Sequence, residues 1–224
     1  MVERPGSDRT ANKHEESGMI KNIVFDLGNV LISFRPSEFI DKCSYPEPIK
    51  KTILADIFGS THWLMLDNGD LSTEEAIEGI AANTSLERDV VDEIFERRVE
   101  ILIPIPPNIK LLPELKKRGY RLYYLSNFPN DLWKQIRNGQ GHHNYDFFSH
   151  FDGGIISAEA RYSKPDPRIY TTLLDKYKLK ADECFYIDDV EINVKAAESA
   201  GMKGFSTFGS HEIYPEVKKR LGID

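Results

Sequence analysis

The chain has 224 residues, 40% hydrophobic and 29% charged, the proportions of an ordinary globular protein with enough apolar material for a core. Its 29 basic and 36 acidic side chains leave a net charge of −7, which argues against nucleic-acid and anionic-membrane partners, since both call for a basic face. No apolar run reaches membrane-spanning length, and the two cysteines, Cys43 and Cys184, lie too far apart in sequence for a zinc motif or a disulfide framework, so a reducing, cytoplasmic setting is the expectation.

Residues 1–18 are polar and charged and lack the apolar stretch of a signal peptide, so they read as a flexible tail. The first structured element is Lys21 to Gly28, a short β-branched apolar run ended by glycine, which predicts a buried strand. From about Phe34 to Pro107 the pattern is helical only. Ser72 with Glu75, and Thr84 with Glu87, have capping-box spacing, and Val90, Val91, Ile94, Phe95 and Val99 form an apolar stripe. Trp63, Leu64 and Leu66 read as interior of this helical unit or its contact with the rest. Pro104, Pro106 and Pro107 then punctuate a return to alternation. A helix over Leu111 to Arg118 precedes a strand over Tyr120 to Leu125. Further strands are predicted at Gly154 to Ser157, Cys184 to Ile187 and Gly204 to Thr207, with helices over Arg168 to Tyr177 and Val190 to Ala200. His142 and His143 sit in a Gly/Asn-rich stretch that reads as an exposed loop. Alternating strands and helices imply an α/β fold, a doubly wound parallel sheet over residues 19–33 and 108–224, with a helical cap inserted over 34–107.

Four short segments fall at predicted strand ends or just beyond, where open parallel sheets form ligand sites. In Phe25-Asp26-Leu27-Gly28-Asn29-Val30 a carboxylate meets a glycine that admits close backbone approach. Ser126 and Asn127 offer a hydroxyl and an amide. Lys164 precedes a proline, which holds it off the helix that follows. Asp188 and Asp189 end an apolar strand. Two adjacent carboxylates there repel unless something offsets them, and a hard divalent cation with oxygen ligands would do so.

Taken together and in this order, these segments resemble the four motifs of the haloacid dehalogenase-like superfamily. They are a strand-end nucleophilic Asp (Asp26), a strand-end Ser or Thr (Ser126), a Lys (Lys164) and an acidic metal motif (Asp188-Asp189). The likeness runs over nearly all the chain after Lys21. It is greatest to members whose first motif reads Phe-Asp-Leu-Gly-Asn-Val, among them sugar-1-phosphate phosphatases, and to the amino-terminal phosphatase domain of soluble epoxide hydrolases. The resemblance implies a Mg²⁺-dependent phosphohydrolase acting on a small phosphorylated metabolite through an aspartyl-phosphate on Asp26. It implies that Mg²⁺ is held by Asp26, the Gly28 carbonyl and Asp189, with Asp188 and Asn193 behind or as alternates. Ser126, Asn127, Lys164 and Gly28 would line the phosphate site.

Position 28 departs from the pattern. Most phosphatases of the superfamily carry a second Asp there as general acid and base, which is worth typically 10²–10⁴-fold. With Gly28 in its place, the expectation is a preference for phosphates with good leaving groups, such as an aldose 1-phosphate over its 6-phosphate isomer. His62, Asp67 and Asp70 read first as solvated loop groups, although each could reach inward. Gly28 also leaves open a non-catalytic regulatory or binding protein on this fold. The superfamily's metal-free 2-haloacid dehalogenase chemistry is disfavoured by the paired Asp188 and Asp189.

Overall fold

The computed structural model describes residues 19–207 and 212–223; the tail expected over 1–18 lies outside them. Five strands form one all-parallel sheet in the order β5-β4-β1-β6-β7. Strand β1 (Asn22–Phe25) is central and buried on both faces, as its unbroken apolar run requires. A minor antiparallel ribbon of β2 (Ile32–Ser33) and β3 (Ile103–Pro104) carries the chain out of the sheet layer and back.

Everything between the ribbon strands is helical: α1 (Pro36–Asp41), α2 (Glu47–Thr52) with a π-helical continuation over Ile53–Phe58, α3 (Thr61–Asp67), α4 (Thr73–Asn83), α5 (Arg88–Arg97) and a 3-10 turn over Arg98–Ile101. These helices bury their own cluster, including Ile40, Ile53, Trp63, Ile80 and Ile94. That cluster is distinct from those on the sheet, although Val99 and Leu102 pack with the sheet. Ser72 and Glu75 form the reciprocal capping pair at the start of α4. Thr84 and Glu87 do not: Thr84 Oγ1 instead donates to Asp56 and accepts from Leu86 N–H, and Glu87 precedes α5 without a side-chain cap. Trp63 and Leu66 are buried as expected, but Leu64 is exposed, because it falls on the outer side of α3.

After the ribbon come α6 (Pro106–Ile109), α7 (Leu111–Lys117), β4 (Arg121–Ser126), α8 (Asn130–Arg137), a 3-10 turn over Asp146–His150, β5 (Gly153–Ile156), α9 (Ser157–Ala160), α10 (Pro167–Tyr177), β6 (Cys184–Asp188), α11 (Glu191–Ser199), β7 (Lys203–Ser206) and α12 (Tyr214–Leu221). Two further clusters pack on the two faces of the sheet. One holds Phe25, Leu112, Trp133 and Phe148; the other holds Val24, Tyr123, Tyr170 and Tyr186. All five predicted sheet strands are present. Helix α8, which the sequence reading passed over, buries Leu132, Trp133 and Ile136 at helical spacing. Cys43 and Cys184 are both buried and free. No helix among the described residues is long and apolar enough to cross a membrane.

Candidate functional site

A cavity of about 220 Å³ opens beyond the carboxyl ends of β1, β4 and β6, bounded on its other side by the helical insert. Asp26, Gly28, Ser126, Asn127, Lys164 and Asp189 all line it; Asp188 does not, being fully buried behind.

The loop after β1 is built to present Asp26. The Leu27 carbonyl accepts N–H bonds from Leu31 and Ile32, closing a tight turn. Asn29 sits at φ 51°, a left-handed conformation that asparagine tolerates better than most side chains. Buried Asn108 clamps the turn from below, donating to the Val30 carbonyl at 2.7 Å and accepting from Ile213 N–H at 3.0 Å. Asp26 is itself nearly buried. Its Oδ1 accepts from Leu27 N–H at 2.7 Å and pairs with Lys164 Nζ at 2.8 Å, and the Ser126 hydroxyl also bonds this carboxyl. Oδ1 is thus the oxygen that the Leu27 N–H and Lys164 hold. Burial raises the Asp26 pKa above the usual carboxylate range, against the pull of Lys164.

Lys164 is buried between two carboxylates, 2.8 Å from Asp26 and 2.7 Å from Asp188 Oδ2. Its backbone is gripped by the Asn127 side chain, which accepts from Lys164 N–H at 2.8 Å and donates to its carbonyl at 3.1 Å. Asn127 was expected to meet phosphate through its backbone; its side chain has this separate task of locating the lysine.

Asp188 and Asp189 differ sharply in bonding. Asp188 accepts from Lys164, the Tyr186 hydroxyl, Val190 N–H at 2.8 Å and Asn193 Nδ2 at 3.2 Å from both oxygens. Burial works against its charge, yet Lys164 and these donors hold its pKa below the ordinary value. Asp189 is less enclosed. Its Oδ2 accepts from Asn29 Nδ2 at 3.1 Å, and burial raises its pKa. Oxygens of Asp26, Asp188 and Asp189 lie within 4.8 Å of one another. Three carboxylates face the single bonded ammonium of Lys164, a surplus that suits a hard divalent cation bound through oxygen.

Sequence reasoning assigned no role to Asn29, Asn108 or Tyr186. The left-handed turn was the one signal for Asn29, since its asparagine follows a glycine directly. Of the three polar groups of the insert, Asp67 lines the cavity. His62 instead lies against Gly79 of α4, where a Cβ would meet its ring at 2.3 Å. Asp70 is exposed and bonds Asn68. His142 and His143 are exposed.

The model of the haloacid dehalogenase-like hydrolases matches residues 20–201, and the chain belongs to that family. Among individual proteins, it is 27% identical over 202 residues to the sesquiterpene phosphatase astK of Aspergillus oryzae, covering 90% of this chain and 97% of that one. It is 25% identical over 178 residues to the bifunctional epoxide hydrolase 2 of Mus musculus; the match takes in 80% of this chain but spans only 31% of that longer protein. Among solved structures, the HAD family enzyme bt-2542 of Bacteroides thetaiotaomicron, in complex with magnesium and inorganic phosphate, superposes with a TM-score of 0.64 at 26% identity, over 84% of this chain and 93% of that one.

Proposed function

We propose that this chain is a magnesium-dependent phosphatase that transfers the phosphoryl group of a small monoester onto Asp26 and then to water. The observation that carries this reading is the charge imbalance at the end of the sheet: Asp26, Asp188 and Asp189 against Lys164, with an open cavity above. The phosphatases among its relatives and the magnesium and phosphate in bt-2542 support it. A binding protein that had kept only the fold would have no need to gather three carboxylates around one lysine at an open cavity.

Asp26, the Gly28 carbonyl and Asp189 would hold the ion, with Asp188 within reach. Bound there, it would neutralise the surplus negative charge and polarise the phosphoryl oxygens. Asp26 Oδ2 attacks phosphorus in line with the departing alcohol oxygen, and the bond from phosphorus to that oxygen breaks. Lys164 holds Asp26 in the charged form and fixes its orientation through Oδ1. The Ser126 hydroxyl and the Asn127 backbone receive phosphoryl oxygens. Water then displaces Asp26 from phosphorus. In phosphoryl transfer such positioning and charge stabilisation carry most of the rate.

For the substrate, the sequence pointed to an aldose 1-phosphate. The cavity wall supports a compact, largely apolar alcohol instead. Ile32, Phe34, Trp63, Leu102, Phe128 and Leu132 surround the space where the leaving group would lie. A sugar would need partners for several ring hydroxyls, and buried hydroxyls without partners are costly. The core's polar side chains on the wall are already bonded to one another, as described above. The sesquiterpene phosphatase named among the relatives fits this reading.

The test is phosphate release from a panel of apolar monoesters and sugar phosphates, with Mg²⁺ and with EDTA. Turnover is expected on the apolar esters only with Mg²⁺, and Asp26→Asn is expected to abolish it while the fold persists. Wild-type turnover in Asp26→Asn, or full activity in EDTA, would refute the mechanism; a preference for sugar 1-phosphates would refute the substrate class alone.

A further inference from the structure

An alkoxide leaves phosphorus slowly unless it is protonated as the bond breaks, and Gly28 has no proton to give. The polar core side chains on the cavity wall are engaged elsewhere, Ser126 with Asp26 among them. Lys164 is committed to Asp26 and Asp188, Asn29 to Asp189 and Phe34 N–H, Asn127 to the Lys164 backbone, and Asn193 to Asp188. The insert brings one acid to this wall, Asp67, at the last turn of α3.

Asp67 is not a loop residue that happens to point inward. Residues 67–69 are docked on the core segment that leads into Lys164. The buried Ser157 hydroxyl donates to the Asp67 carbonyl while accepting from Phe128 N–H at 2.9 Å. The Arg161 guanidinium donates to the Gly69 carbonyl, and Ser163 Oγ donates to Asn68 Oδ1 at 3.2 Å. Gly69, at φ 76°, passes so close to α9 that a Cβ would come within 2.5 Å of the Ala158 carbonyl oxygen. The insert and the catalytic end of the sheet are thereby held in one register, with Asp67 and Asp26 lining the same cavity.

The carboxyl has defined neighbours. The Trp63 indole N–H, one turn earlier on α3, donates to it. Arg98, paired with Asp131 and stacked on Phe95, lies close enough to act on its charge. Asp26, Lys164 and Asp189 line the same cavity. Burial pushes the Asp67 pKa up to about 7, with Arg98 and the indole pulling the other way. A carboxylic acid that keeps its proton into the neutral range is matched to proton donation there.

We propose that Asp67 is the general acid of the first step and the base of the second, replacing from the insert the carboxylate that position 28 lacks. The proposal rests on the phosphatase reading above. As the bond between Asp26 Oδ2 and phosphorus forms, the bond from phosphorus to the alcohol oxygen breaks, and that oxygen keeps the electron pair and takes the Asp67 proton. In the second step the Asp67 carboxylate takes a proton from water, the water oxygen bonds to phosphorus, and Asp26 leaves as a free carboxylate with release of phosphate.

The experiment compares 4-nitrophenyl phosphate, whose leaving group needs no proton, with butyl phosphate, whose leaving group does. For each ester kcat/KM is measured across pH at saturating Mg²⁺, in wild type, Asp67→Asn, Trp63→Phe and Asp70→Asn. The parameter kcat/KM reports the step in which the alcohol departs, provided that step is irreversible. Asp67→Asn is expected to lower the butyl-to-nitrophenyl ratio by about 10²-fold or more. It is also expected to remove an alkaline limb near pH 7 from the butyl profile. Trp63→Phe deletes the indole donor and is expected to move that limb to higher pH. The exposed Asp70, changed to Asn, is expected to leave ratio and limb as they were. An Asp67→Asn that lowers both esters by the same factor, or a limb that Trp63→Phe does not move, would overturn the proposal. A wild type that hydrolyses neither ester with Mg²⁺ would remove the phosphatase reading and this proposal with it; an active wild type whose ratio survives Asp67→Asn would remove this proposal alone.

Discussion

Lys164→Met keeps the aliphatic stem and deletes the ammonium that lies 2.8 Å from Asp26 and 2.7 Å from Asp188. Both carboxylates are buried, so neither can turn to solvent. Breaking a buried ion pair from one side costs about 3–5 kcal/mol, and here two partners lose the same cation, so the upper half of that range applies. Without the ammonium both carboxyls bind protons more readily: the Asp26 pKa, already raised, goes further up, and the Asp188 pKa rises because it loses the cation that held it below the ordinary value. A raised carboxyl pKa means that the folded state binds more protons, so stability falls as pH rises. The deficit of Lys164→Met should therefore be about 4 kcal/mol at about pH 8 and less than half that at about pH 5. Urea unfolding of both proteins in EDTA at the two pH values measures it. Adding Mg²⁺ should return part of the loss at the higher pH, because a cation bound by the same carboxylates substitutes for the ammonium. A deficit that is the same at both pH values would mean that Lys164 stabilises by packing alone, and the argument from charge would be wrong.

Asn29→Gly keeps the left-handed turn but removes the amide that orients Asp189 and accepts from Phe34 N–H, so it should weaken Mg²⁺ activation by about 10–100-fold and lower stability by about 1 kcal/mol. Unchanged Mg²⁺ dependence would show that Asp189 needs no such support. Gly28→Asp has room at the Cβ, whose one near neighbour is Asp26 Oδ2 at 3.8 Å. In the Asp67→Asn background it should recover about tenfold or more in butyl phosphate turnover, measured as kcat/KM at saturating Mg²⁺, by restoring an acid to the core side. No recovery would mean that a carboxyl at position 28 cannot reach the leaving oxygen in this turn.

The parallel sheet was legible because its strands are short apolar runs ended by glycine or polar residues, and buried parallel strands look like that from the residues alone. The site segments were legible for a related reason: Asp26, Ser126, Asp188 and Asp189 each stand where such a run stops. What the sequence could not show was which polar groups spend themselves on one another. Asn127 grips the Lys164 backbone across 37 residues of chain, and Asn29 reaches Asp189 across 160. No local pattern records either pairing. The Thr84–Glu87 spacing misled because capping-box residues are also good turn residues, and Thr84 found a better partner in Asp56 of a preceding helix. Leu64 misled because four consecutive apolar residues, Trp63 to Leu66, on a seven-residue helix give no periodicity to fix which of them faces inward.

These pairings also decide what the cavity can recognise. A lysine, three asparagines and a serine stand on its core wall, enough in principle to bind a polyhydroxylated substrate. Yet each is engaged in holding Asp26, Lys164, Asp188 or Asp189 in place. The polar part of the core wall is thus committed in bonding, with Ile32, Phe128 and Leu132 adding apolar surface beside it, and on the proposed function what the polar part offers a substrate is a place for the phosphoryl group. Discrimination between alcohols is left to the remaining surface, which is apolar apart from Asp67. The docking of residues 67–69 onto α9 and the approach to Lys164 then gains its purpose from both sides at once. On the proposed function it would set Phe34, Trp63 and Leu102 beside the core's Ile32, Phe128 and Leu132 around the leaving group, and Asp67 at the oxygen that departs, so that substrate choice and protonation would be set by the same contact.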